Sequence, residues 1–275
     1  MATITEPGIY PDMKRADYAR LEAVNYSLLK NFRRSPAHAR EYMLHPQAPS
    51  VAMDFGTAFH TAILEPAKFA SEYIAAPKCD RRTKVGKEAW TAFEEANRSK
   101  TVLDCEDMDT IKAMSEACLQ NEVVREILSS PGKNEVALVW DDTFTGLRCK
   151  ALIDRITRFA GWTVAVDFKT ADDAQPWAFS NAAAKYAYAE QAAFYLSGLN
   201  ALHPVQRRWL WVAVEKERPY GVAVYEPDRD ALAQGQAEFM KHLETYKQCT
   251  ETGIWPCYPS GVQALKLPKW AFTED

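Results

Sequence analysis

The first 130 residues are dominated by apolar positions recurring three and four apart. In the run from Ser27 to Ser35, Leu28, Leu29 and Phe32 fall at helical spacing. Ser35-Pro36 then predicts a fresh helix, with the serine as N-cap and the proline in its first turn. A helix rich in small residues is expected over Ala52–Leu64, closed by Pro66. Longer amphipathic helices follow over Lys84–Arg98 and Asp107–Leu128, and Pro131-Gly132 ends the pattern.

Beyond that break the period changes to two. Glu135–Trp140, Leu147–Arg158 and Trp162–Thr170 read as three strands, joined through Asp141–Gly146 and Phe159–Gly161. A helix is expected over Pro176–Leu199, strands over Arg207–Val214 and Gly221–Tyr225, and a last helix over Asp228–Gln248. The tail, with Pro256, Pro259 and Pro268, reads as irregular. This order predicts an α/β fold with a central mixed sheet flanked by helices. A single domain is expected over 1–275, in which a mainly helical part (1–130) packs on a sheet-containing core (131–275).

Composition narrows the class. With 275 residues and 47% hydrophobic content the chain can bury a sizeable core. No run approaches the roughly 18–20 apolar residues of a membrane span. The first ten residues lack the basic-then-apolar order of a signal peptide, so a cytoplasmic protein is expected. The six cysteines include no CxxC pair, which argues against a zinc ribbon and favours reduced thiols. Net charge is −4, unevenly placed: Glu88 to Glu126 holds ten acidic and four basic residues, and the remainder 29 basic against 27 acidic. Just before that stretch lie Lys78, Arg81, Arg82, Lys84 and Lys87, opposed only by Asp80. Such a loop is compatible with phosphate contact, although most charge runs are solvated faces.

The chemistry concentrates in the strands. Asp167 and Lys169 alternate with Phe168, so they share one strand face, while Val164, Val166 and Phe168 form the apolar one. Asp154 lies thirteen positions earlier on the neighbouring strand, where a short hairpin can bring both carboxylates together at a sheet edge. Paired carboxylates repel unless neutralised; a divalent metal does so, and oxygen ligands suit Mg²⁺ or Mn²⁺. A lysine two residues on can orient a water for phosphodiester hydrolysis. The same spacing also fits a solvated face on which Asp154 and Asp167 pair with Arg155 and Lys169. Glu135 begins the preceding strand and can join the cluster. Gln191 and Tyr195 share a helix face and offer an amide and a phenol. His60 sits on the small-residue helix, where a lone histidine is commonly a packing residue.

As an ordered set, these residues resemble a known family. Phe55-Gly56-Thr57-Ala58-Phe59-His60, Glu135, Ile153-Asp154, Asp167-Phe168-Lys169 and Gln191-Ala192-Ala193-Phe194-Tyr195 resemble the PD-(D/E)xK nuclease superfamily. Within it they are most similar to the RecE-type exodeoxyribonucleases (exodeoxyribonuclease VIII). The Ser27-Leu28-Leu29 helix with Ser35-Pro36, the Arg81-Arg82-Thr83-Lys84 loop with Gly86-Lys87, and the Leu267-Pro268-Lys269-Trp270 ending belong to the same resemblance. It implies a PD-(D/E)xK nuclease core, with His60, Asp154, Asp167 and the Phe168 carbonyl as metal ligands. Lys169 would position the attacking water, Gln191 and Tyr195 would support the site or touch the scissile strand, and Glu135 would be an outer or second-metal carboxylate. Arg81, Arg82, Lys84 and Lys87 would contact DNA. The implied activity is Mg²⁺-dependent (Mn²⁺ as substitute) 5′-to-3′ degradation of one strand of linear double-stranded DNA to 5′-mononucleotides, in phage or prophage recombination. A homo-oligomeric ring, tetramer or trimer, and a single-strand annealing partner are implied with it. An endonuclease or repair nuclease of the same fold, and an inactive DNA-binding relative, are the alternatives.

Overall fold

The structure is a computed structural model and describes residues 6–45 and 51–267. The first part runs β1 (Gly8–Tyr10), α1 (Arg15–Arg20), α2 (Tyr26–Leu29), α3 (Pro36–Leu44), α4 (Val51–Leu64), α5 (Pro66–Glu72), β2 (Tyr73–Ala75), α6 (Lys84–Ala96), β3 (Thr101–Leu103), α7 (Cys105–Gln120) and α8 (Glu122–Ser129). The second runs β4 (Gly132–Asp141), β5 (Arg148–Phe159), β6 (Trp162–Ala171), α9 (Pro176–Tyr186), α10 (Tyr188–Leu202), β7 (Arg207–Glu215), β8 (Val222–Tyr225) and α11 (Arg229–Thr252).

Six strands form one mixed sheet in the order β1-β4-β5-β6-β7-β8, parallel only between β6 and β7. The β6–α9–α10–β7 crossover supplies that parallel pair, as a parallel connection requires. Strands β2 and β3 pair in parallel as a separate two-stranded sheet. Each face of the main sheet buries its own core. On one side α2, α3, α9, α10 and α11 cover Leu138, Trp140, Ala165 and Trp209. On the other α4, α5, α7 and α8 cover Val164, Val166, Phe168 and Val212. The architecture is thus a central mixed sheet flanked by helices, with the helical half of the sequence divided between both faces.

Several elements differ from the periodicity reading. The helix expected over Asp107–Leu128 is two helices. Asn121 closes α7 and caps α8, its side chain accepting from the Val124 amide, and the apolar spacing runs on through this break. The helix expected over Pro176–Leu199 also breaks, at Ala187, whose φ of 57° and ψ of 47° are left-handed. No glycine marks it. The Tyr26 hydroxyl donates to the Ala187 carbonyl at 2.8 Å, a tertiary bond across 161 positions that no local pattern carries. Ser35 caps α3 as expected, accepting from the His38 amide, with Pro36 at its start. The Pro268–Trp270 part of the expected C-terminal motif lies outside the described residues. No helix among the described residues is long and apolar enough to cross a membrane.

Candidate active site

Asp154, Asp167 and Glu135 are brought together by register. The β4–β5 pairing joins Asn134 to Arg155 and Val136 to Ile153, so Glu135 stands opposite Asp154. The β5–β6 pairing ends at Arg155 and Val166, so Asp167 is the next position across from Asp154. Three carboxylates therefore form a row over three adjacent strands. The row lies in the interior of the sheet, between its two central strands and β4, rather than at the sheet edge the sequence suggested.

The strands are distorted where the row crosses them. Val136 and Ile153 point into the core under α10. One step beyond the row, Asn134 donates to the Leu64 carbonyl, and the Arg155 guanidinium reaches the carbonyls of Ile127, Leu128 and Ser130 on the opposite face. Both strands thus reverse their alternation at the Glu135–Asp154 pair. Glu135 absorbs the reversal with a φ of 49°, a left-handed conformation that costs a non-glycine residue of order 1–3 kcal/mol and tends to persist at functional sites. The reversal re-aims Glu135 and Asp154 alone; Asp167 keeps the regular alternation of β6, and His60 of α4 and Gln191 of α10 approach the row. The reversal also removes Arg155 from the site, so Arg155 is not the partner of Asp154.

His60, projecting from α4, closes one side. Its Nε2 lies 2.8 Å from the Phe168 carbonyl oxygen, which can only accept, so that nitrogen carries a proton. Its Nδ1 faces the Asp154 Oδ1 at 3.4 Å. The Phe168 amide donates to the Asp154 Oδ2 at 2.8 Å. On the other side Lys169 Nζ is 2.6 Å from Asp167 Oδ2 and donates to Gln191 Oε1 at 3.0 Å. Gln191 in turn donates to the Tyr195 hydroxyl at 3.4 Å, and the Tyr188 ring lies 4.9 Å below the Lys169 ammonium.

The charges explain one another. Burial would raise Asp154, but His60, Lys169 and the Phe168 amide outweigh it and hold this carboxyl below the usual range. Asp167 lies above that range, because burial and the Asp154 charge outweigh Lys169. Burial and Asp154 likewise raise Glu135, against Arg15, which reaches it at 3.1 Å. His60 and Lys169 are both raised: burial opposes their charge, and the carboxylates override it. Burial pushes the Tyr195 hydroxyl up to about 12, so it is a neutral donor at physiological pH.

These residues fit a divalent cation. His60, Glu135 and Asp154 each present a ligand atom within 4.8 Å of the others. Of the expected ligands, Asp167 falls outside that group, where Glu135, expected as an outer carboxylate, takes a place; the Phe168 carbonyl is engaged by His60. The buried Asp167 Oδ2 has the Lys169 ammonium at 2.6 Å as its partner, and a carboxylate oxygen so placed keeps a further lone pair for a cation. A bound divalent ion would supply Lewis acidity and an activated water here.

The cationic loop expected to meet DNA lies elsewhere. Arg81, Arg82, Lys84 and Lys87 are exposed around the start of α6. Arg81 stacks on Trp90 at 4.0 Å, Arg82 pairs with Asp80 at 3.0 Å and Lys84 with Glu88 at 3.9 Å, leaving Lys87 without a bonded partner among the described residues. None of the four lines the large cleft beside Lys169. That cleft, about 1080 Å³, is walled by Lys30, Arg33 and Arg34 and by α9. Lys30 keeps an exposed surface, yet desolvation by its neighbours and then the Lys169 ammonium lower its pKa. The Ser27–Ser35 segment turns its apolar face, Leu28, Leu29 and Phe32, into the core. Its polar positions, Lys30, Asn31, Arg33 and Arg34, were the signal for this wall.

A mixed sheet carrying a row of carboxylates, with a lysine two residues past the last, is the frame of a PD-(D/E)xK nuclease. The chain belongs to the PDDEXK-like domain of unknown function family (DUF3799), which matches residues 25–268. It is similar to a crystal structure described as a "putative exonuclease" from Eubacterium rectale, with 12% identity and a TM-score of 0.61 over 94% of this chain and 96% of that one. At that identity the likeness is one of fold. A second solved structure, SSO0001, is 15% identical over 68% of this chain and 85% of that one, with a TM-score of 0.29. No curated protein matches.

Proposed function

We propose that this protein is a divalent-metal-dependent exodeoxyribonuclease. In this reading it degrades one strand of linear duplex DNA from 5′ towards 3′ to 5′-mononucleotides, in the cytoplasm and in phage or prophage recombination. The observation that carries it is the pair Asp154 and Asp167 at adjacent register positions with Lys169 held against Asp167. Glu135, Asp154 and Asp167 supply oxygen donors, which favour Mg²⁺ with Mn²⁺ as a substitute. Lys169 is fixed between Asp167, Gln191 and the Tyr188 ring, so its ammonium is pre-placed to orient a water and to face charge developing on a phosphoryl oxygen. Gln191 holds Lys169, and Tyr195 holds Gln191. A homo-oligomeric ring and an annealing partner belong to the same reading, on the strength of the motif set.

The test is linear duplex DNA labelled at either end, beside covalently closed circular DNA, with Mg²⁺ present. Early release of the 5′ label as a mononucleotide, with the circle untouched, supports the proposal. Cutting of the circle would make the protein an endonuclease. DNA bound but intact in every form would make it an inactive relative.

A further inference from the structure

We propose that the cleft beside Lys169 holds single-stranded DNA, its bases stacked on Tyr186 and its phosphates on the wall formed by Lys30 and Arg34. This rests on the nuclease reading of the same site and names the form of substrate that enters it.

The cleft presents six cationic side chains against two carboxylates, Asp172 and Asp173. Two of the six are already paired, Lys216 with Asp172 and Lys169 with Asp167, each at 2.6 Å. Arg33 is turned towards the Lys185 and Ala184 carbonyls at the end of α9, at 3.3 and 3.5 Å. Lys30 and Arg34 have no bonded carboxylate among the described residues. Two cations on one wall of the cleft without counter-charges are an arrangement an anion relieves.

The opposite side is aromatic. Tyr186 is 54% exposed, large for a tyrosine on a helix end. It stacks on Tyr188, with ring centroids 5.8 Å apart and planes 24° apart, and Tyr188 lies under the Lys169 ammonium. Lys185 sits 5.2 Å above the Tyr186 ring. The exposed ring, the inner ring and the catalytic lysine thus form a continuous ramp into the site. The left-handed turn at Ala187 separates the two rings in sequence and sets them face to face.

A cationic wall alone would serve duplex or single strand. An exposed ring stacks only on a base released from its own stack, so the aromatic side favours an unpaired strand. One ring gives tolerance of sequence, because every base has a π face. A strand lying so would run its backbone along Lys30 and Arg34 and deliver a phosphodiester to Lys169.

The experiment measures fluorescence anisotropy of a labelled fifteen-residue oligothymidylate and of a blunt hairpin duplex carrying a similar number of phosphates. Both are titrated with the full chain in a chelator, so that no hydrolysis occurs and nuclease activity is not needed. The wild type is expected to bind the single strand more tightly. Tyr186→Ala should weaken that binding by roughly tenfold, the scale of one base stacked on one ring. Tyr186→Phe should restore it. Lys30→Gln and Arg34→Gln should each weaken it and flatten its salt dependence. Equal affinity for the duplex, or affinity unchanged in Tyr186→Ala and Lys30→Gln, would overturn the proposal. An inactive protein can pass this test and an active nuclease can fail it, which separates the two readings.

Discussion

The backbone amide of Phe168 donates to the Asp154 carboxylate at 2.8 Å, at the step where the β5–β6 ladder would next have paired Asp154 with Asp167. A ladder bond is exchanged for a charge-assisted one. The exchange fixes the carboxylate while its other oxygen faces His60. Because the Phe168 side chain is wholly buried on the opposite face, this amide cannot move without disturbing the second core.

Replacing Asp154 or Asp167 with Asn is therefore expected to abolish hydrolysis, by at least roughly a hundredfold, as loss of metal-centred stabilisation implies. The shape of the site is retained. For Asp167→Asn, which ends the repulsion with Asp154, the thermal midpoint in a chelator should equal or exceed that of the wild type. A midpoint well below it would show that Asp167 is chiefly structural.

Lys169→Met removes the cation paired with the buried Asp167. In a chelator it should cost about 3 kcal/mol, the scale of breaking a buried pair from one side. Mg²⁺ should return much of that loss while activity stays low. Thermal melts with and without Mg²⁺ read both effects.

Metal binding itself should stabilise the wild type. At a hundred times its dissociation constant, Mg²⁺ or Mn²⁺ is expected to add about 2.7 kcal/mol, visible as a raised melting temperature. Glu135→Gln and His60→Ala should shrink that rise, since both present ligand atoms to the same point. An undiminished rise in both variants would place the ion elsewhere.

Burial pushes the Cys118 thiol up to about 12, whereas Cys257 is exposed. At pH 8 an alkylating reagent should label Cys257 and spare Cys118, as peptide mapping would show. Because the folded pKa is raised above the unfolded value, this thiol's contribution to stability is complete below about 8.5 and lost as pH rises towards about 12. The loss of stability at alkaline pH should accordingly be smaller in Cys118→Ala once its cavity cost is subtracted.

A Cβ on Gly235 would clash with the Ala189 carbonyl oxygen, where α11 crosses α10. Gly235→Ala should destabilise the fold by about 1–3 kcal/mol through overpacking. Chemical denaturation measures it. Because α10 carries Gln191 and Tyr195, activity should fall as well.

What the sequence disclosed follows from the range of the forces involved. The alternation around Val164, Val166 and Phe168 is local, so the shared face of Asp167 and Lys169 could be read directly. The helical spacing of Gln191 and Tyr195 was equally local, and the structure joins them by a hydrogen bond. The breaks at Asn121 and Ala187 were hidden because apolar spacing continues across both. Asn121 did offer a local sign, an N-cap residue followed by glutamate; Ala187 offered none, since Tyr26 holds it from 161 positions away. The reversal of β4 and β5 at Glu135 and Asp154 could not be read either, because it depends on two strands deforming together. The charges of Lys30, Arg33 and Arg34 are plain in the sequence, but only the fold, which sets the segment after α2 around one cleft with Lys169, gives them a common object.

The proposed function depends on hydrolysis of phosphodiesters by Asp154, Asp167 and Lys169 with a divalent metal. The most direct measurement is release of acid-soluble nucleotide from linear duplex DNA by the wild type and by Asp167→Ala, each in Mg²⁺ and in a chelator. The account predicts release only by the wild type in Mg²⁺. Equal release by folded Asp167→Ala, or by the wild type in the chelator, would contradict it.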